Sequence, residues 1–370
     1  PLGSCTMKYS PKVNEEIVRM SGFAEVHPYT PEELTQGTLK LMYELGSFLA
    51  EVTGMDRATL QPAAGAQGEL TGMMMVKACL QARGDKRKKV LVPDTAHGTN
   101  CSTSTIASYQ MVEIKSNERG VISPERVAHL MDEEVAAIMV TNPNTLGLFE
   151  EHLKEIAEIV HSKGGFIYCD GANLNALMGI VKLGDLGVDV VHINLHKTFS
   201  TPHGGGGPGS GPVAIKKELA PYLPVPVIEK DRGVYRLNYD RPHSIGKMRA
   251  FYGNFGVILK AYAYILSMGP EGLQRASQMA VLNANYLMKR LKDYYHLPYD
   301  RPCMHECVFT DRFQEKYHVS TLDIAKRLID YGYHPPTIYF PLVVKAALMM
   351  EPTETESKES LDGFIETMIT

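Results

Sequence analysis

A lysine placed directly after a buried strand is unusual, because its ammonium must be desolvated or paired. Lys197 is such a residue, following His196 and the apolar run Val188 to Ile193. Burial lowers an amine's pKa and favours its nucleophilic form, which suits a lysine that condenses with a carbonyl as a Schiff base. The plain alternative is a lysine that snorkels to the surface from a loop. The glycine cluster Gly204 to Gly207 weighs against it, since glycines let backbone pass close to a ligand.

Asp170 poses the matching problem with the opposite sign. It ends the run Gly165-Phe166-Ile167-Tyr168-Cys169, where an unpaired carboxylate would be costly. A protonated pyridine nitrogen is a partner that answers this need, and holding that proton makes pyridoxal phosphate (PLP) an electron sink. Taken alone, Asp170 reads equally well as a helix cap or an Asx turn. The stretch Ala63-Ala64-Gly65-Ala66-Gln67-Gly68-Glu69 is a small-residue turn leading into a helix. The free N–H groups at such a helix start suit a phosphate. A plain tight turn is the alternative, and the stretch lacks the Gly-Lys-Ser/Thr ending of a nucleotide loop. His97 stands where an imidazole could lie flat on a ring, although a lone histidine there is more often a satisfied polar residue.

The surrounding elements decide whether these residues meet. Leu39, Met42, Leu45, Phe48, Leu49 and Val52 recur at helical spacing, with Gly54 as a stop, and a second helix is expected from about Gly68 to Gly84. Short apolar runs at Val90 to Val92, Val135 to Val140, Phe166 to Cys169 and Val188 to Ile193 read as strands. Helix-like stretches separate them, clearest at Glu150 to Ser162. This is the α/β pattern of a mostly parallel sheet covered on both faces. Ligands of such folds bind at the carboxyl ends of the strands. Three polar clusters stand at those ends: Asp94 to His97, Thr141-Asn142-Pro143-Asn144, and Asp170-Gly171-Ala172-Asn173. Segment 220 to 243, rich in proline, is expected to be irregular, and long helices are expected at Ser244 to Met268 and Gly272 to Tyr294. A large domain over 1–290, with an N-terminal arm at 1–36, and a small C-terminal domain over 291–370 follow.

Composition excludes several classes of function. Hydrophobic residues at 44%, charged residues at 22% and a formal net charge of −4 give no footprint for nucleic acid or membrane. No stretch approaches the roughly 20 apolar residues that span a bilayer, and no signal-peptide pattern opens the sequence. A cytoplasmic protein is expected, or a mitochondrial one in a eukaryote. Six scattered cysteines suit reduced thiols. Cys303, His305 and Cys307 share a strand face, which reads as buried packing, and no metal is expected.

The order of a phosphate-type helix start, an Asp-x-Ala and a His-Lys resembles the aspartate-aminotransferase-like (type I) PLP enzymes. Four longer runs sharpen the likeness: Pro1 to Tyr9 (PLGSCTMKY), Gln61 to Glu69 (QPAAGAQGE), Asn194 to Phe199 (NLHKTF) and Thr201 to Gly209 (TPHGGGGPG). These, with Glu351-Pro352-Thr353-Glu354-Thr355 near the end, resemble the glycine dehydrogenase (decarboxylating) family. That family is the P-protein of the glycine cleavage system, and the likeness is to its second subunit or to the C-terminal half of the fused form. The resemblance covers nearly the whole chain, and family members extend beyond both of its ends.

What the resemblance implies agrees with the chemistry above. Lys197 would be the Schiff-base lysine, with Asp170, His97, Ala66, Gln67, Ala172, His196 and Asn142 binding PLP. Glycine would lose CO2 and its aminomethyl group would pass to the lipoyl arm of H-protein, with Ser4, Cys5 and Thr6 lining the approach. The family further implies a related subunit 1 without the lysine, and an α2β2 assembly. Two rivals differ in kind: another type I PLP enzyme acting on a free amino acid, and a non-catalytic subunit using the fold as scaffold.

Overall fold

The apolar runs of the sequence become the inner strands of one seven-stranded sheet in the computed structural model, which describes residues 3–203 and 207–370. In chain order its strands are β1 (Arg57–Thr59), β2 (Lys89–Pro93), β3 (Gln110–Ile114), β4 (Val135–Thr141), β5 (Phe166–Gly171), β6 (Val190–Ile193) and β7 (Val213–Ile215). Across the sheet they lie in the order β1, β7, β6, β5, β4, β2, β3. The five strands from β6 to β3 run parallel, while β7 and β1 close one edge antiparallel.

Strands β4 and β5 are buried at every position, as central strands with helices on both faces must be. Their side chains feed two cores. Leu45 and Leu49 of the helix Gln36–Thr53 pack with Ile138, Ile167 and Val191 on one face. Met73, Val76 and Leu80 of the helix Gly65–Ala82 pack with Ala137, Tyr168 and Val190 on the other. The first of these helices ends at Gly54, whose φ of 72° is the left-handed cap that glycine adopts readily.

Parallel register then lines up three polar side chains. Thr141 of β4 pairs with Asp170 of β5, and Asp170 pairs with His192 of β6. All three stand at carboxyl ends of parallel strands, where the fold leaves a crevice.

Two expectations are corrected. Residues 244–254 are not helical; the helix is Phe255–Leu291, bent at Gly269 and Pro270. Gly246 and Gly253 hold positive φ there, and the backbone of Met248 bonds to the side chains of Gln61 and Gln67, so tertiary contacts replace the helix. Segment 220–243 contains an antiparallel hairpin, Val227–Asp231 with Val234–Asn238. Its turn, Arg232-Gly233, has positive φ at both residues, as a tight hairpin requires. The polar edge strand β3 escaped the sequence pattern because only Ile114 is buried.

The C-terminal residues form a second, three-stranded antiparallel sheet, with Ala347–Met350 between Cys307–Thr310 and Thr337–Ile338. The helices Thr321–Asp330 and Lys358–Ile369 accompany it, and Phe309, Leu348, Met350 and Phe364 pack with Leu287 and Leu291 of the long helix.

The seat of the helix Gly65–Ala82 depends on close backbone approach. A Cβ at Gly68 would stand 2.7 Å from the carbonyl oxygen of Gly211, whereas one at Gly37 would meet nothing within 4 Å. Gly68→Ala is therefore expected to destabilise the fold by about 1–3 kcal/mol, as overpacking does. Gly37→Ala should stay neutral or gain up to about 1 kcal/mol through its helix preference. Urea denaturation midpoints of the two variants check this contrast.

Candidate active site

The strand ends assemble a buried polar network around Asp170. One carboxylate oxygen accepts the N–H of Ala172 at 2.9 Å, and the other accepts Asn100 Nδ2 at 3.0 Å. His192 Nε2 lies 3.4 Å from the first oxygen, and its Nδ1 is 2.6 Å from the hydroxyl of Tyr168. Burial pushes the Asp170 carboxyl up. The combined pull of His192, His97, the Ala172 N–H and Lys197 outweighs it and leaves the group below the ordinary carboxylate value. Asp170 is thus held as an anion out of water.

Glu69 belongs to the same network and was not among the expected site residues. Asn100 Nδ2 bridges the two acids, lying 3.1 Å from Glu69 Oε2, and Thr99 and Thr103 also donate to this carboxylate. Burial and then the charge of Asp170 push Glu69 up to about 8, against those hydrogen bonds. Of the two neighbouring acids, Glu69 therefore carries the proton at neutral pH and Asp170 the charge. Its signal in the sequence is that it is the only acidic residue of an 18-residue helix.

His97 is tied into this region by its N–H, which donates to Thr141 Oγ1 at 2.9 Å, and by Nδ1, 3.0 Å from Thr99 Oγ1. Burial lowers the pKa of its imidazole, with Asp170 opposing and Lys197 adding to the shift. The histidine is neutral beside the anion. Lys197, in the short turn Leu195–Thr198 after β6, is buried and donates from Nζ to the carbonyl of Ser4 at 3.0 Å. The fold thus brings Asp170, Ala172, His97 and Lys197 into one electrostatic neighbourhood.

The other expected residues lie around it. Ala66 and Gln67 are in the first turn of the helix Gly65–Ala82, whose cap Ala64 offers no side-chain bond, so early N–H groups lack intrahelical partners. The side chain of Gln67 is committed to the N–H of Ala63 and the carbonyl of Met248, which leaves only its backbone for a ligand. His196 accepts the N–H of Ser210 at Nδ1, 3.1 Å away, and burial lowers its pKa to about 4. Asn142 accepts the N–H of Glu150 at 3.1 Å, while its Nδ2 is buried without a partner among the described residues. Of the glycine cluster, Gly204 to Gly206 lie outside the described residues.

Two groups of possible metal ligands occur among the described residues: Glu69 with Asp170 and His192, and His305 with Glu306 and Glu351. His305 does not group there with Cys303 and Cys307, which are buried in the C-terminal core.

Two family models match the chain: glycine cleavage system P-protein over residues 2–239, and the C-terminal domain of glycine dehydrogenase over 276–370. The chain belongs to the glycine cleavage system P-protein family. Probable glycine dehydrogenase (decarboxylating) subunit 2 of Caldanaerobacter subterraneus subsp. tengcongensis is 63% identical over all 370 residues, which cover 76% of that protein. The corresponding protein of Halalkalibacterium halodurans is 61% identical over the same span, with the same coverage. Among solved structures, glycine decarboxylase (P-protein) in inhibitor-bound form superposes with a TM-score of 0.84 at 21% identity. That match covers 100% of this chain and 84% of the other. A C-DES mutant carrying glycine covalently linked to PLP reaches 0.75 at 14% identity, covering 99% of this P-protein chain and 96% of its own. Both likenesses establish the type I PLP-enzyme fold.

Because Glu69 takes up its proton more readily folded than unfolded, stability is full below the ordinary carboxylate pKa. It falls as pH rises from about 4.5 toward about 8. Glu69→Gln, which cannot ionise, should make that fall shallower. Urea midpoints at about pH 5, 7 and 9 would read it; equal slopes in both proteins would contradict the protonation assigned to Glu69.

Proposed function

We propose that this chain is the PLP-bearing subunit of a glycine decarboxylase. In that reading it releases CO2 from glycine and passes the remaining aminomethyl group to the lipoyl arm of H-protein. The observation that carries the reading is that buried Asp170 lies at the end of one parallel strand and buried Lys197 just past the end of its neighbour, near enough to act on Asp170 electrostatically.

The described residues fit the cofactor. The anionic Asp170 lacks a strong cationic partner of its own, since burial holds His192, its nearest imidazole, down to about 4. Asn142 Nδ2, Thr198 Oγ1, Thr201 Oγ1 and Ser210 Oγ are buried and unpartnered among the described residues, a surplus of polar atoms that a polar ligand would relieve. When bound, PLP supplies an aldehyde for the amine of glycine and a ring that accepts the electron pair left as CO2 departs.

Each residue then has a defined task. Lys197 Nζ would hold the cofactor's aldehyde and, as a free amine, would move protons. Asp170 would hold a proton on the cofactor's nitrogen, its own two oxygens fixed by Asn100 and the Ala172 N–H. Neutral His97 and Ala172 would help to hold the cofactor, the histidine without adding a charge that would compete for Asp170. The N–H groups of Ala66 and Gln67 would hold the phosphate, and His196 and Asn142 would complete the polar surround.

The name of the relatives, subunit 2, supports a companion subunit 1, and transfer to a carrier calls for an open approach to Lys197. Ser4, Cys5 and Thr6 would line it, a reading supported by the bond of Ser4 to Lys197 and by Cys5 Sγ lying 3.4 Å from His203 Nε2. No helix among the described residues is long and apolar enough to cross a membrane.

The test is exchange of labelled CO2 into the carboxyl of glycine by the chain with its companion subunit. Exchange should require lipoylated H-protein. Lys197→Ala should lower it by at least about 10³-fold, as loss of a covalent catalyst does, and Asp170→Asn by about 10²-fold. Reaction of free amino acids without the carrier would instead support the aminotransferase-like rival.

A further inference from the structure

The arm Gly3 to Ser10 crosses between the lysine and the C-terminal sheet, and it meets two buried acids that the proposed chemistry does not use, Glu306 and Glu351. Glu306 Oε2 accepts the N–H of Ser4 at 2.8 Å, and the carbonyl of Ser4 accepts Lys197 Nζ at 3.0 Å. Thr6 Oγ1 donates to Glu351 at 2.5 Å. Lys8 donates to the carbonyl of Thr198 at 2.7 Å and pairs with Glu354 at 2.8 Å. Gly3 is anchored from the far side, its carbonyl accepting Thr337 Oγ1 at 2.6 Å.

Among these contacts Glu306 is distinctive. A carboxylate is a costly way to accept one backbone hydrogen bond in a fully buried place, and a fold needing only a brace could use a neutral acceptor. Its other oxygen, Oε1, has no hydrogen-bond partner among the described residues, nor do the two nitrogens of His305, which stays 3.9 Å away. Burial keeps that imidazole neutral, so His305 cannot balance the acid; burial also pushes the Glu306 carboxyl up to about 7, with the Ser4 N–H and Lys197 pulling the other way. The carboxyl of Glu306, one residue of the arm and the amine of Lys197 form a continuous chain of contacts.

We propose that Glu306 is a positioning residue for Lys197, acting through Ser4: it fixes the arm so that the Ser4 carbonyl parks the lysine amine whenever the amine is not bonded to the cofactor. The inference rests on the reading of Lys197 as the residue that holds PLP. A lysine of this kind is released once per turnover on a flexible four-carbon stem, and an amine that wanders must be brought back before it can move a proton or close the cycle. The effect therefore belongs to kcat rather than to glycine binding.

The experiment compares Glu306→Ala, Glu306→Gln and Thr337→Val in the complete complex with companion subunit and carrier. Three readings are taken: kcat, KM for glycine, and deuterium exchange of the peptide spanning residues 3–9. Loss of the hydrogen bond that anchors the Ser4 N–H predicts that Glu306→Ala lowers kcat about tenfold with KM changed less than about threefold, and speeds arm exchange. Glu306→Gln keeps an acceptor and should restore kcat to within about threefold of wild type. Thr337→Val loosens the arm from its other side, so exchange should rise and kcat fall even if Glu306→Ala does not fold. An unchanged kcat in Glu306→Ala, or Glu306→Gln as impaired as Glu306→Ala, would overturn the proposal. Borohydride labelling of wild-type Lys197 keeps the two readings apart: no label defeats the cofactor assignment, whereas a label with unchanged kcat in the variants defeats the role of Glu306 alone.

Discussion

The carboxylate of Asp170 is a negative charge held away from water at the end of a buried strand, and the polar architecture around it follows from that constraint. Such a charge is tolerable only when its oxygens are satisfied and a cation can reach it. Asn100, the Ala172 N–H and His192 satisfy the oxygens. Burial holds that histidine neutral, so the place of the cation is left for a ligand. Glu69 completes the arrangement by keeping its proton, which stops a second negative charge from competing across Asn100.

Parallel pairing makes this constellation rigid. Thr141, Asp170 and His192 stand abreast on three neighbouring strands, and the N–H of His97 is hung from the first of them. A slip of one residue in any strand would turn its polar member away, and both sheet faces are packed solidly enough to forbid the slip. The arm contacts add what the sheet cannot: they place the Ser4 carbonyl against Lys197. The candidate groups thus come from strand ends, where position is most exact, and the Lys197 amine meets an arm held by two regions of the fold.

The candidate site was readable in the sequence where a residue's type conflicts with its local pattern. Lys197 and Asp170 are charges ending apolar runs, and the helix start at Gly65 follows a string of small residues. Four of the parallel strands were readable for a related reason, since burial on both faces writes them as unbroken apolar runs. Asn100, Glu306 and Glu351 were not, because their meaning lies in partners between 31 and 345 residues away. Glu69 could have been suspected as the one acid of its helix, and His192 as a polar residue inside a strand pattern. The misread helix at 244–254 and the missed hairpin at 227–238 share a cause: backbone settled by distant side chains and by positive φ at Gly246, Gly253 and Arg232.

The most direct measurement is the absorbance spectrum of the chain with its companion subunit and PLP, before and after borohydride, followed by peptide mapping. A visible band that borohydride abolishes, leaving a pyridoxyl group on the peptide containing Lys197 and none in Lys197→Ala, is the expected result. A complex that binds no PLP, or that carries the label on another lysine, would contradict the pairing of Asp170 with Lys197 as the centre of the chemistry.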